Sequence, residues 1–277
     1  MSTIIVLTDF SNTSRNALRY AAGFSRLLSN TRLLMLNIYT VPPSYSGEGI
    51  ALAAIQDAVA GSERQLEDEL EWAKEAMPGI EFAYKAVAGK FINSLQEQVD
   101  EEQAIFIIMG TPAGYGEMSQ WDVGSLHALT DLSIPVLTVP EAVQYSLIYT
   151  IAFACIPATI TTHAPFEKVK QLLAATGARM HVVTVVPPGH PLEAVTEGEN
   201  LLHRELPEPQ TTYHIIAEDR VIAAIGHFVE EHHVDLLLVM PGRHGLWYNL
   251  FHKSHARELA RLNLIPVMAL HEENQAG

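Results

Sequence analysis

The sequence predicts an α/β protein of two tandem domains, each a five-stranded, mostly parallel sheet with helices on both faces. Three observations lead there. One pattern occurs twice: Ala104-Ile105-Phe106-Ile107-Ile108-Met109 is echoed by Asp235-Leu236-Leu237-Leu238-Val239-Met240, and Ile134-Pro135-Val136-Leu137 by Ile265-Pro266-Val267-Met268, both at an offset of 131 residues. Within each copy, short continuous apolar runs alternate with segments of helical periodicity, the pattern of parallel strands joined by right-handed crossovers. A chain of 277 residues also suits two domains of roughly 100–150 residues each. The expected domains are 1–143 and 144–277.

In the first copy Ile4-Ile5-Val6-Leu7 reads as a strand buried on both faces. Asp9-Phe10-Ser11-Asn12-Thr13 follows, rich in helix N-cap types, and Leu18, Ala21, Ala22, Ser25 and Leu28 fall on one face of the next helix. Leu33 to Ile38 is the second strand, and Pro42 to Gly47 a loop. A long helix presents Ile55, Val59, Leu66, Leu70, Ala73 and Met77 and stops at Pro78-Gly79. Phe82, Tyr84 and Ala86 mark the third strand, and Phe91, Leu95 and Val99 a helical face. The fourth strand ends at Met109, and the fifth is Val136 to Val139. The second copy repeats the order, with strands expected at 148–155, 180–186, 211–217, 236–240 and 266–270 and helices at 164–176, 219–232 and 255–262. Segment 189–206, with Pro191 and Gly198, stands in place of the long second helix. Almost no linker separates the copies, so the domains are expected to pack together.

Hydrophobic residues make up 48% of the chain, enough for packed cores, and the net charge is −15. That charge excludes a broad basic footprint for nucleic acid and disfavours anionic membrane surfaces. The one cysteine, Cys155, lies in an apolar run and reads as a buried thiol. Met1-Ser2-Thr3 opens no signal peptide, and no apolar run reaches the length of a membrane span. A cytoplasmic location is expected.

Ligands of open α/β sheets bind beyond the carboxyl ends of the strands. In the first copy these ends are Leu7-Thr8-Asp9, Ile38-Tyr39-Thr40 and Met109-Gly110-Thr111-Pro112-Ala113-Gly114. The last runs through Gly116 to Gly124-Ser125, where a helix is expected to begin. A glycine-rich loop leading to a Gly-Ser helix start offers backbone N–H groups and a positive dipole end to a phosphate. The same spacing is met by an ordinary strand-to-helix loop with turn glycines.

Ile4 to Ser11, followed by Ser14-Arg15-Asn16-Ala17-Leu18, resembles the opening of universal stress proteins. Met109-Gly110-Thr111, the glycine loop, Gly124-Ser125 and Ile134 to Pro140 resemble that family's closing half. The resemblance covers the first copy end to end and the second more weakly, so the whole chain is similar to tandem members. It implies Rossmann-like domains and a regulatory protein binding ATP, with Mg²⁺ accompanying it, or another adenine nucleotide in the N-terminal domain. Asp9 and Ile38 would meet the adenine side and Gly110, Gly114, Gly124 and Ser125 the phosphates, with Thr8 and Met109, at the ends of the first and fourth strands, also among the binding residues. The family's motif is Gly-x2-Gly-x9-Gly-(Ser/Thr). Gly114 to Ser125 fits its second half, while three residues rather than two separate Gly110 from Gly114. The resemblance also implies an intramolecular pseudo-dimer through the last strands, with further homodimers and a protein partner open. The alternative is a stress-associated interaction module with both grooves structural.

The second copy departs further. Its first strand ends at Cys155-Ile156-Pro157 with no acidic residue, and at an offset of 131 Pro241 stands for Gly110. Leu246 to Phe251, with Trp247 and Tyr248, would fill a groove or interface. Against this, Arg243, Lys253 and Ser254 could grip a phosphate. Twelve of the 13 histidines lie from His163 onward. His244, His252, His255 and the His232-His233 pair read as scattered groups, and no metal site is expected. The chain lacks a Gly-x4-Gly-Lys-(Ser/Thr) loop and a Gly-x-Ser-x-Gly elbow. Glu69, Glu71, Asp100, Glu101 and Glu102 read as solvated faces. No catalytic residue is assigned, and any ATP hydrolysis would be slow.

Overall fold

A computed structural model of the protein describes residues 1–40, 48–112, 134–156, 164–186, 197–207 and 209–240, together with 264–270, Leu132, Ile160 and Pro188. The chain divides into two compact units, with Tyr145 closing the main run of the first and Ser146 opening that of the second.

The first unit contains β1 (Ser2–Leu7), α1 (Asn12–Ser25), β2 (Thr31–Thr40), α2 (Glu48–Ala76), β3 (Glu81–Gly89), α3 (Phe91–Glu102), β4 (Ala104–Thr111) and β5 (Val136–Pro140). The strands lie in the order β3-β2-β1-β4-β5, and every pairing is parallel. β1 and β4 are the apolar runs read from the sequence, and Ile4, Ile5, Ile107 and Ile108 are fully buried. Ser11 caps α1, its hydroxyl accepting the Ser14 N–H at 3.2 Å. α2 stops before Pro78, and Gly79 takes a φ of +82°, the left-handed geometry that ends helices at glycine. On the α3 face, Ile5, Leu7, Leu36, Leu95, Ile107 and Met109 form one core. On the α1 face, Phe24 meets Phe106 edge-on at 5.6 Å. The chain beyond β5 is bound back to α1: Asn16 donates to the carbonyls of Pro140 and Val143, and Tyr145 lies where a side chain at Gly23 would stand.

The second unit contains β6 (Thr150–Ala154), α4 (Ala164–Thr176), β7 (Arg179–Val186), α5 (Glu197–Glu205), β8 (Thr211–Ala217), α6 (Val221–Glu231), β9 (Leu236–Val239) and β10 (Val267–Ala269). Its order, β10-β9-β6-β7-β8, repeats that of the first unit, again with parallel pairings. α5 has 9 described residues where α2 has 29, and 189–196 of the segment 189–206 lie outside the described residues. The Asp235 carboxylate accepts the N–H groups of Tyr149 and Thr150 at the start of β6. The expected helix at 255–262 and the loop at 42–47 lie outside the described residues.

The two units match, but not at one constant offset. β1 and β4 pair as Thr3 with Ala104 and then Ile4 with Phe106, so a β-bulge leaves Ile105 over. β6 and β9 pair from Ile151–Leu236 onward without a bulge. Past Ile105 the offset in this strand is therefore 130, with Ile107 matching Leu237 and Met109 matching Val239. The cores agree, since Ile107 and Met109 face α3 as Leu237 and Val239 face α6. This corrects the counterpart of Gly110, which is Met240 and not Pro241.

Candidate functional site

In the first unit the strand order reverses between β1 and β4, with β2 and β3 on one side and β5 on the other. Such a reversal opens a crevice at the carboxyl ends of the strands. Leu7 pairs with Leu36, so Asp9 and Ile38 each lie two residues past a paired position. Val6 pairs with Ile108, which places Thr8 and Gly110 in the same relation across the reversal. Four of the expected site residues therefore share one edge of the sheet.

The turn after β1 is tightly bonded. Asp9 Oδ1 accepts the Ser11 N–H at 3.1 Å and the Ser11 hydroxyl at 2.5 Å. Phe10 sits at a φ of 67°, a left-handed geometry that a bulky side chain adopts only under constraint. Its N–H donates to Thr8 Oγ1 at 3.1 Å. The Thr8 N–H donates to the Leu36 carbonyl at 3.0 Å, and its carbonyl accepts from Asn37 Nδ2 at 2.8 Å. The Thr8 hydroxyl donates to Glu69 Oε2 at 3.0 Å and lies 3.2 Å from Ser14 Oγ. Thr8 thus holds the turn from behind, while Asp9 is presented on its half-buried side.

Glu69 is the residue that sequence reasoning missed. It is 1% exposed, not solvated as expected, and Arg15 Nε donates to its Oε1 at 3.0 Å. The signal was positional: Glu69 is three residues after Leu66 and four before Ala73, both fully buried, so it falls on the inward stripe of α2. A carboxylate is tolerated there because Thr8 and Arg15 satisfy both oxygens. Arg15, with Arg19, also lies over the Trp72 ring at 5.5 Å and 4.9 Å.

Gly110 has a steric reason to be glycine. A Cβ there would stand 2.6 Å from the Thr13 carbonyl oxygen, so the first turn of α1 lies directly on the end of β4. The Met109 side chain is buried in the α3-side core and offers only backbone to the edge. Ile38 is partly buried against the same core. Gly114, Gly124 and Ser125 lie outside the described residues.

In the second unit the Cys155 N–H donates to the Val183 carbonyl at 3.1 Å, the bond that Thr8 makes to Leu36. Cys155 thus stands where Thr8 stands, and burial pushes its thiol up to about 12. Ile156 then matches Asp9. Pro157, at the place of Phe10 in the sequence, lies outside the described residues. Arg243, Trp247, Lys253, Ser254 and the histidines at 244, 252 and 255 lie outside the described residues. Among the described residues, no helix is long and apolar enough to cross a membrane.

Two doubly wound α/β units of one strand order, the first with an acidic turn at its strand-order reversal, define a tandem α/β protein. The sequence profile of the universal stress protein family matches residues 1–139, and the chain belongs to that family. Among curated proteins, none matches the sequence. A solved universal stress protein from Archaeoglobus fulgidus is similar over 98% of this chain and 97% of its own, at 16% identity and a TM-score of 0.67. A protein of unknown function from Pseudomonas aeruginosa is similar over 99% and 94%, at 14% identity and a TM-score of 0.56. The cytoplasmic domain of a prokaryotic cation chloride cotransporter is similar over 99% and 97%, at 10% identity and a TM-score of 0.53. At these identities the likeness is one of fold, and function has to be argued from the site.

Proposed function

We propose that the chain is a regulatory protein whose first unit binds ATP or another adenine nucleotide across the carboxyl ends of β1, β2 and β4. The observation that carries this reading is the turn Thr8–Ser11. Backbone strain at Phe10, held by five surrounding hydrogen bonds, marks a place where geometry is kept for a purpose. Asp9 Oδ1 is spent on Ser11, while Oδ2 has no hydrogen-bond partner among the described residues and can accept from a ring amine. Ile38 supplies an apolar surface for a flat base, and Gly110, against which Thr13 of α1 packs, offers its backbone at the end of β4. Phosphates would then extend toward Gly114, Gly124 and Ser125, with Mg²⁺ accompanying ATP. No general base is assigned, so the expected output is a bound state and not rapid turnover.

Calorimetry of ATP with the full chain tests this. Binding is expected for the wild type, with affinity about tenfold lower in Asp9→Ala. Absence of binding heat and of any rise in melting temperature at millimolar ATP would sink the reading. Mass spectrometry of freshly purified protein gives an independent check for carried nucleotide. A second reading, an interaction module without nucleotide, is favoured by Gly110, whose glycine is already required by Thr13. It predicts a wild type indifferent to ATP.

A further inference from the structure

The second unit brings together three histidines that lie far apart in sequence. His181 is on β7, His214 on β8, and His232 follows the last turn of α6. His181 Nδ1 and His214 Nε2 are 2.9 Å apart and share one hydrogen. The ring centres form a nearly equilateral triangle: 5.0 Å for His181–His214, 5.1 Å for His181–His232 and 5.3 Å for His214–His232. Phe228 backs all three rings, at 5.7, 4.8 and 4.1 Å. His214 and His232 open on a cleft of about 530 Å³ that Glu218, His227 and Glu231 also line.

Three imidazoles on one tetrahedral ion, each with a metal–nitrogen bond of about 2.05 Å, have ring centres about 5 Å apart. That is the size of this triangle. The same geometry separates two coordinating nitrogens by about 3.3 Å, so the His181–His214 pair would open by only about 0.4 Å. As the side chains stand, no three His, Cys, Asp or Glu groups among the described residues close on one point. The pair is what is preformed, while the His232 ring is stacked on Phe228, its centre already at a third ligand's distance.

We propose that His181 and His214, joined by His232 turning from Phe228, form a capture site for a first-row transition-metal ion in the second unit. Imidazole nitrogen suits Zn(II), Ni(II) and Cu(II). On binding, the ring that donates in the His181–His214 bond shifts its proton to its other nitrogen. Both lone pairs then face the ion, with no net loss of protons from the neutral rings. Glu218 and Glu231 give the cleft a negative wall that favours a cation. The separations of 33 and 18 residues match no metal-binding spacing, which explains why the sequence shows no motif.

The test uses the full chain without a polyhistidine tag, stripped with chelator and titrated calorimetrically with Zn(II) and Ni(II). The wild type is expected to bind one equivalent that His181→Asn and His214→Asn each weaken by at least about tenfold, and His232→Asn by less. Thermal melts in chelator establish that each variant folds. Paramagnetic resonance of the wild type with one equivalent of Cu(II) needs no variant and should show coupling to at least two imidazole nitrogens. Wild-type affinity retained in both His181→Asn and His214→Asn, or a Cu(II) spectrum without imidazole coupling, would overturn the proposal.

Discussion

Thr8 and Cys155 close the central strands of their units with the same backbone hydrogen bond, yet what surrounds them differs in kind. Behind Thr8 lies a polar knot in which Ser14, Glu69 and Arg15 are joined by hydroxyl and carboxylate bonds. Cys155 has a thiol pushed up to about 12 by burial, and Ile156 and Pro157 follow. A buried carboxylate that needs two partners is costly to keep for packing alone, because apolar groups fill the same volume without unpaired charge. The first unit keeps it directly behind a strained acidic turn, and the second, on the same frame, has no such buried carboxylate among its described residues. The sheet order is therefore the shared inheritance of both units, and the turn after the central strand is where they part.

The sharpest way to break this comparison is at the matched pair Gly110 and Met240. Gly110→Ala drives a methyl group into the Thr13 backbone and should cost about 3 kcal/mol, read from urea unfolding. Met240→Ala should cost clearly less, since this position carries a side chain already. A loss below about 1 kcal/mol in Gly110→Ala would mean that α1 does not seat on β4 as described. A smaller effect is expected at the knot. Arg15→Ala leaves Glu69 buried with Thr8 as its remaining partner and should lower stability by about 2 kcal/mol. The Arg15 side chain is 42% exposed, which keeps this below the cost of breaking a fully buried pair. Glu69→Gln, which still accepts from Thr8, should fall between Arg15→Ala and the wild type. Equal stability of all three proteins would show that the knot contributes nothing.

The smallest effect belongs to the second unit. Burial holds His181 and His214 below the ordinary imidazole value of 6.5. His232 beside both, and for His181 also His214 and Arg179, adds to this. His227, Glu218 and Glu231 face the same cleft. The folded state thus resists protons that the unfolded chain accepts. The stability from this source is complete above pH 6.5 and is lost as pH falls below it, toward the depressed folded values. In chelator, melting temperature should decline from pH 7 to pH 5, and His214→Asn should flatten that slope. A slope unchanged by the substitution would place the acid sensitivity elsewhere.

Much of this architecture was legible in the sequence. Continuous apolar runs gave the central strands because strands buried on both faces need no polar alternation. The doubled pattern announced the two units. The Asp9 turn stood out because acidic and hydroxyl residues follow a buried strand directly. Glu69 was not legible as buried, since charged residues are rarely so and only the stripe of Leu66 and Ala73 spoke for it. The histidine triangle was hidden for another reason. His181 and His214 meet only because β7 and β8 pair with Val183 opposite His214, and His232 joins them only because α6 ends there. Neighbourhood in sequence groups His232 with His233 instead, a pair that reads as scattered groups and no site.

Ile105 carries a lesson for anyone who aligns the two halves. A single extra residue in a strand would turn every later side chain to the opposite face, emptying one core and overfilling the other. The bulge absorbs it at the strand's first turn of phrase, before Phe106, so the remainder of β4 keeps the facing that β9 has without it. The doubled design has a slack point near the strand's start. A ruler laid along the sequence at constant spacing passes over that slack and misreads the strand's end by one place, where the carboxyl edge of the sheet begins.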